Sequence, residues 1–195
     1  GVSAVSVTRD VQGTGLTPAV LTISEINPYD YGTQPTGSVT QRIFTVTNTG
    51  AAPATGMAGS GLVAPYRFEG SVYPGTSGNC AGSLAAAATC NLMIEYAPIA
   101  VNGAEVDTIL IDYNDGAAAQ QATRDLTAVS VSPALLTITE SDPYNYGTLA
   151  TGSTDNRVFT VTNTGGFGAT VMSETGLANP YAFTGAGYPG TGGDC

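Results

Sequence analysis

At 195 residues, with 42% apolar and only 10% charged side chains, the chain is long enough to bury one or two cores and too rich in strand-spaced apolar residues to be disordered. A net charge of −10, with five cations that are all Arg (Arg9, Arg42, Arg67, Arg124 and Arg157), repels phosphate backbones and excludes nucleic acid as a partner. The absence of His removes Ser-His-Asp and Cys-His catalysis, and the absence of Lys removes Lys–Asn isopeptide crosslinks, so any covalent staple must come from the cysteines.

The 26 Gly and 11 Pro, with abundant Thr, Ser and Val, predict short strands and tight turns. In chain order, Leu21 and Ile23 share one face against Thr22 and Ser24, and Phe44 and Val46 alternate with Thr45 and Thr47. Asn48-Thr49-Gly50 and Pro74-Gly75 punctuate turns. Residues 85–88 allow one short helical turn, and no stretch sustains a helical period. Leu92, Ile94 and Tyr96 alternate with Asn91, Met93 and Glu95, and Ile109, Ile111 and Tyr113 with Leu110 and Asp112. Asn114-Asp115-Gly116 is a strong hairpin signal, and the return strand is expected over 124–131. No apolar run approaches the roughly 18 residues of a membrane span. No charged leader opens the sequence, and any signal peptide is expected to lie outside it. No N-x-Ser/Thr sequon occurs, since Asn48 and Asn163 both sit in N-T-G.

The most informative feature is an internal repeat. Residues 16–80 align without a gap to 131–195 at an offset of 115, with 37 of the 65 pairs identical. Shared blocks include Leu-Thr-Ile at Leu21 and Leu136, Pro-Tyr-x-Tyr-Gly-Thr at Pro28 and Pro143, and Phe-Thr-Val-Thr-Asn-Thr-Gly at Phe44 and Phe159. Tyr-Pro-Gly-Thr begins at Tyr73 and Tyr188, and each copy then reaches a cysteine, Cys80 or Cys195. Thr8-Arg9-Asp10-Val11 matches Thr123-Arg124-Asp125-Leu126 at the same offset. Three pieces are therefore expected: 1–15 as the closing strand of a preceding repeat, 16–130 as a complete repeat, and 131–195 as the first part of a second. A period near 115 suits a sandwich domain and is too long for a solenoid repeat. The expected class is all-β, with tandem immunoglobulin-like antiparallel β-sandwich domains. A window cut from a longer tandem array accounts for all three pieces.

These blocks resemble the bacterial choice-of-anchor D repeats of the Hydin-like (ASH) branch of immunoglobulin-like folds. The resemblance is carried by Tyr31-Gly32-Thr33, Thr36-Gly37-Ser38, the run from Phe44 to Gly50, Cys80 with Ser83-Leu84-Ala85-Ala86 and Cys90, Glu95-Tyr96-Ala97-Pro98, Gly103, and the run from Tyr113 to Gly116. It covers the complete repeat and both partial ones. It implies a spacer or adhesin module of a secreted or surface-displayed protein, and it supplies no catalytic residues and no ligand. Because proteins of this class mature in an oxidising compartment, Cys80 and Cys90 are expected to form a disulfide. Zinc is the alternative, though two thiolates without His make a poor site. Cys195 occupies the position of Cys80, so its partner is expected beyond the segment or in another chain.

Two further groups invite a ligand. Asp112, Asn114 and Asp115 faintly resemble a calcium loop, and Glu25, Asn27 and Asp30 recur as Glu140, Asp142 and Asn145. Neither supplies the five or six spaced oxygens of a dedicated site, and Asp and Asn are ordinary turn formers. The ten tyrosines include the pairs Tyr29/Tyr31 and Tyr144/Tyr146, which could stack on sugars or could pack a strand edge. The expected function is non-enzymatic and cofactor-free: a stalk, fibre or filament at the cell surface or outside the cell, whose partners are neighbouring repeats or copies of itself. A carbohydrate- or host-binding module accessory to a secreted enzyme is the alternative. It is kept open by loops 51–64 and 166–179, which differ most between the copies, and its partner would be a surface glycan or protein.

Overall fold

A computed structural model describes all residues from Gly1 to Cys195. The first twenty residues contain no strand, and nine strands follow: β1 (Leu21–Ile23), β2 (Tyr29–Pro35), β3 (Thr40–Asn48), β4 (Ala54–Ser60), β5 (Tyr66–Phe68), β6 (Ser83–Leu84), β7 (Thr89–Tyr96), β8 (Gly103–Asn114) and β9 (Ala119–Val131). Two short strands complete the chain, β10 (Leu136–Ile138) and β11 (Val161–Asn163). The only helical element is a 3-10 turn at Glu69–Ser71, which the sequence pattern did not indicate.

The strands form a four-stranded sheet in the order β1-β3-β7-β5 and a five-stranded sheet in the order β2-β9-β8-β4-β6, with β10 and β11 as a separate pair. The pairings of β1 with β3, β5 with β7, and β4 with both β6 and β8 are antiparallel. This is an all-β, immunoglobulin-like sandwich, as expected. By backbone proximity the chain divides into two compact units. One comprises Gly1–Asp30, Gln41–Tyr96 and Val106–Leu126, and the other Tyr31–Thr40, Ala97–Glu105 and Thr127–Cys195.

The core follows from period-two alternation. Phe44 and Val46 of β3, Leu92, Ile94 and Tyr96 of β7, and Ile109 and Ile111 of β8 are completely buried, and so is Leu126 of β9. Each contributes roughly 1.5–3 kcal/mol by leaving water. Tyr66 of β5 packs on Tyr96 with ring centroids 4.8 Å apart. Glycine matters most in β4, where the register with β8 shifts between Thr55 and Ala58 and Gly56 takes a φ of 63°. That is a bulge built on the residue that adopts left-handed backbone without a Cβ penalty. A Cβ at Gly59 would strike the rings of Tyr73 and Phe68. Pro35 closes β2, an edge strand, where a missing N–H is tolerated.

Candidate functional site

The disulfide expectation holds: Cys80 and Cys90 are bonded, with Cα atoms 4.9 Å apart. The bridge fastens the segment before β6 to the first residues of β7. The same link is reinforced by the Asn91 carbonyl, which accepts from the N–H groups of Asn79 (2.9 Å) and Cys80 (3.3 Å), and by the Asn91 N–H donating to Asn79 Oδ1 (2.6 Å). Cys195 is a free, exposed thiol.

The oxygens of the weak calcium candidates are already engaged by donors. Asp112 Oδ1 accepts from Gln121 (2.8 Å) and Oδ2 from Ser60 (3.2 Å). Asn114 Oδ1 takes the Gly116 N–H at 2.8 Å. Asp115 is buried, with Oδ1 accepting from the N–H groups of Ala117 and Ala118 at 2.8 and 2.7 Å and Oδ2 from Gln120 at 3.0 Å. The two backbone N–H groups, Ala118 first, hold its carboxyl below the usual aspartate range. This geometry stabilises the β8–β9 turn and does not converge oxygens on a point. An open depression of about 690 Å³ beside it is lined by Thr55, Gly56, Asp112, Asn114, Gln120 and Gln121, among others.

Elsewhere the acidic residues also act inside the fold. Glu25 pairs with Arg42 at 2.7 Å, and Arg42 lies 5.1 Å from the centre of the Tyr29 ring. Asn27 Nδ2 donates to Asp125 at 3.3 Å, and the Asp125 N–H donates back to Asn27 Oδ1 at 2.9 Å. In the second copy Glu140 accepts from the Thr160 N–H at 3.2 Å, and Asn145 from the Gly147 N–H at 2.7 Å. Tyr31 is buried, and Tyr29 sits edge-on to Phe44 at 5.2 Å, so this tyrosine pair packs the fold.

Two residues have roles the sequence pattern hid. Asn48 reads as a turn former, yet it is fully buried and its side chain makes five hydrogen bonds. Its Oδ1 accepts from the N–H groups of Val20 (3.2 Å) and Gly50 (3.0 Å), and its Nδ2 donates to the carbonyls of Ala52 (2.9 Å), Leu84 (3.1 Å) and Ala85 (3.2 Å). It therefore clamps the lead into β1 and the segment after β6 onto the end of β3. Glu95 alternates with core residues and reads as solvent-facing, but it is buried beneath Arg67 (2.7 Å) and Gln41 (2.8 Å). An Asn on a repeated turn, flanked on both sides by apolar strands, was the available signal for the first. Nothing local marked the second.

The repeat is reproduced in local structure. β1 pairs with β3 as Leu21 with Asn48 and Ile23 with Val46, and β10 pairs with β11 as Leu136 with Asn163 and Ile138 with Val161, which is the same register 115 residues on. Asn163 repeats part of the clamp, accepting from Leu135 and Gly165 at 3.0 Å each and donating to Phe167 at 2.7 Å. Tyr144 meets Phe159 edge-on at 5.2 Å with Arg157 over its ring, as Tyr29, Phe44 and Arg42 do. Burial is not reproduced: Ile23 is 5% exposed and Ile138 61%, Tyr66 1% and Tyr181 57%.

The chain matches no protein-family model. No curated protein matches it either. Solved structures similar to it include the VesB protease of Vibrio cholerae, at 16% identity and a TM-score of 0.45 over 57% of this chain and 32% of the protease. They also include the ASH/PapD-like domain 7 of human CEP192, at 14% identity and a TM-score of 0.41 over 68% of this chain and 99% of that domain. A CARDB domain from Pyrococcus furiosus matches at 15% identity and a TM-score of 0.35, over 60% of this chain and 98% of that one. The chain thus spans about a third of the length of the protease.

Proposed function

We propose that this chain is a structural repeat segment of a secreted or surface-displayed bacterial protein of the choice-of-anchor D kind, serving as a stalk, fibre or filament. Under this reading 16–130 is one full repeat, while 1–15 and 131–195 are parts of its neighbours. The observation that carries the reading is the recurrence of one register, one aromatic cluster and one asparagine clamp at an offset of 115 residues. Serial units of one design, joined by as little as Ser132-Pro133-Ala134 between β9 and Leu135, suit extension more than recognition. The Cys80–Cys90 bridge supports maturation in an oxidising compartment outside the cytosol. The polar side chains described above bond to one another and to backbone, as suits a structural module.

Electron microscopy of the native full-length protein tests this reading. A beaded fibre, one bead for each 115-residue period, is the expected image. A compact particle would favour the second reading, a binding module in which segments 51–64 and 166–179 select a surface glycan or protein, although the centre of the first is the strand β4 and not the loop its variability suggested. Retention of the chain on a glycan array, abolished by exchanging the turns that flank β4 together with 166–179, would establish that alternative.

A further inference from the structure

The passage from β9 into β10 is short, and each residue in it is held from the side. Ser130 is buried, and its hydroxyl oxygen accepts the Asn102 N–H at 2.9 Å. The Val131 carbonyl accepts the Thr36 N–H at 2.9 Å, from the turn between β2 and β3. The Ser132 hydroxyl oxygen accepts the Gly166 N–H at 2.8 Å, from the turn after β11. Leu135 donates its N–H to Asn163 Oδ1 at 3.0 Å, and its carbonyl accepts the Thr164 N–H at 2.8 Å. All of these residues lie in one compact unit, the one made of Tyr31–Thr40, Ala97–Glu105 and Thr127–Cys195.

Steric fit fixes the two residues in between, Pro133 and Ala134. A Cβ at Gly165 would collide with the Pro133 carbonyl oxygen and stand 2.8 Å from the Ala134 Cα. One at Gly166 would stand 3.1 Å from the Val131 Cβ. The two glycines thus let the turn lie directly on the lead into β10. Pro133 locks its own φ and keeps Ser132 extended, which removes much of the backbone freedom that remains. Both halves of this grip recur at the 115-residue offset. Thr17 Oγ1 accepts the Ala51 N–H at 3.2 Å, and Gly50 lies against Pro18 and Ala19 as Gly165 does against Pro133 and Ala134. The turn that holds Val131 is also formed twice: the Pro35 carbonyl accepts the Ser38 hydroxyl at 2.7 Å, and the Ala150 carbonyl accepts the Ser153 hydroxyl at 2.7 Å.

We propose that residues 131–135 form a fixed joint, gripped on one side by the turn between β2 and β3 and on the other by the Thr164–Gly166 turn, so that one copy runs into the next without a hinge. Residues 132–134 are exposed, so the stiffness rests on these hydrogen bonds, two glycines and one proline instead of on burial. Single substitutions should therefore loosen it. The inference goes beyond the repeat reading. A hinged array would still be a stalk or fibre, and a compact native particle would leave the joint as it is.

Backbone nitrogen relaxation and amide exchange on the 195-residue chain test it. Order parameters of Val131, Ser132, Ala134 and Leu135 should be about 0.85, the value of rigid backbone. The Thr36, Thr164 and Gly166 amides should exchange at least about tenfold more slowly than unprotected ones. Gly165→Ala pushes the turn off the lead. It should bring the order parameters below about 0.6 and speed exchange at Thr164 and Gly166 about tenfold, with the buried Leu92 and Ile109 unchanged. Ser132→Ala leaves the packing alone and removes only the acceptor of Gly166, so exchange should quicken at that amide, while Ser132→Thr, which copies Thr17, should keep it slow. Order parameters below about 0.6 in the parent chain, a Gly165→Ala chain as rigid as the parent, or a Gly166 amide indifferent to Ser132→Ala would each overturn the proposal.

Discussion

Leu21 and Leu136 occupy the same place in the same Leu-Thr-Ile strand, pair with equivalent asparagines in the same register, and differ in that one is buried and the other exposed. Phe44 and Phe159 differ in the same way, although each meets its tyrosine edge-on at 5.2 Å. The comparison separates two levels of encoding. Strand pairing, the aromatic cluster and the part of the asparagine clamp that reaches Val20, Gly50 and Ala52 involve residues within about thirty positions of one another, and they form in both copies. Burial in the first copy needs β7, β8 and β9, which lie far from β1 in sequence, so it depends on contacts distant in sequence.

Paired truncations measure that difference at its largest. Phe44→Ala should cost about 3–5 kcal/mol in chemical denaturation, because it empties a fully buried site, while Phe159→Ala should change stability by less than about 0.5 kcal/mol. Equal costs at the two positions would show that 131–195 contributes a packed core. The clamp comes next. Asn48→Ala leaves two N–H groups and three carbonyls of a buried site without that amide and should cost about 3 kcal/mol, whereas Asn163→Ala, at an exposed site, should cost well under 1 kcal/mol. A negligible effect at Asn48 would mean that water satisfies those groups.

The disulfide sharpens the comparison further. Replacing Cys80 and Cys90 by Ser should lower stability by about 2–3 kcal/mol for so short a loop, while Cys195→Ser should leave it unchanged. Intact-mass analysis after alkylation without reductant should find one modified thiol, that of Cys195. Three modified thiols would contradict the bridge.

The strands were readable because alternation of large apolar residues is a local signal. Phe44 and Val46, Leu92 to Tyr96, and Ile109 to Tyr113 all fall where period two puts them. The repeat made the β10–β11 register readable as well. Asn48 and Glu95 were not, because the groups that bury them, Leu84 and Ala85 for one and Arg67 and Gln41 for the other, lie 28 to 54 residues away. Period two also could not say whether 4–11 form a strand, since an alternating segment looks the same paired or alone.

Acid should act on the first copy through its turn. Asp115 is held below the ordinary aspartate range by the Ala118 and Ala117 N–H groups, and Glu69 below the glutamate range by its hydrogen bonds to Ser77. Groups with depressed values contribute stability that is complete above their unfolded values, near pH 4, and is lost as pH falls through the lower folded values. Urea midpoints should therefore fall below about pH 4. Asp115→Asn keeps an oxygen for the two N–H groups but removes the titration, so it should flatten part of that decline. An unchanged acid limb in the variant would take Asp115 out of the account.

The smallest effect is expected from calcium. A cation at the β8–β9 turn would need the oxygens of Asp112, Asn114 and Asp115 together, and each now accepts from a donor: Gln121 and Ser60, the Gly116 N–H, and the Ala117 and Ala118 N–H groups with Gln120. Binding would break the hydrogen bonds that form the turn, in exchange for far fewer than the six to eight oxygens calcium prefers. Glu140 and Asn145 provide an internal control, because they are bonded to the Thr160 and Gly147 N–H groups. Melting in EDTA and in millimolar calcium should thus agree within about two degrees, since a ligand that binds the native state weakly shifts its stability little. A rise well beyond that, removed by Asp112→Asn but not by Glu140→Gln, would place a calcium site at this turn.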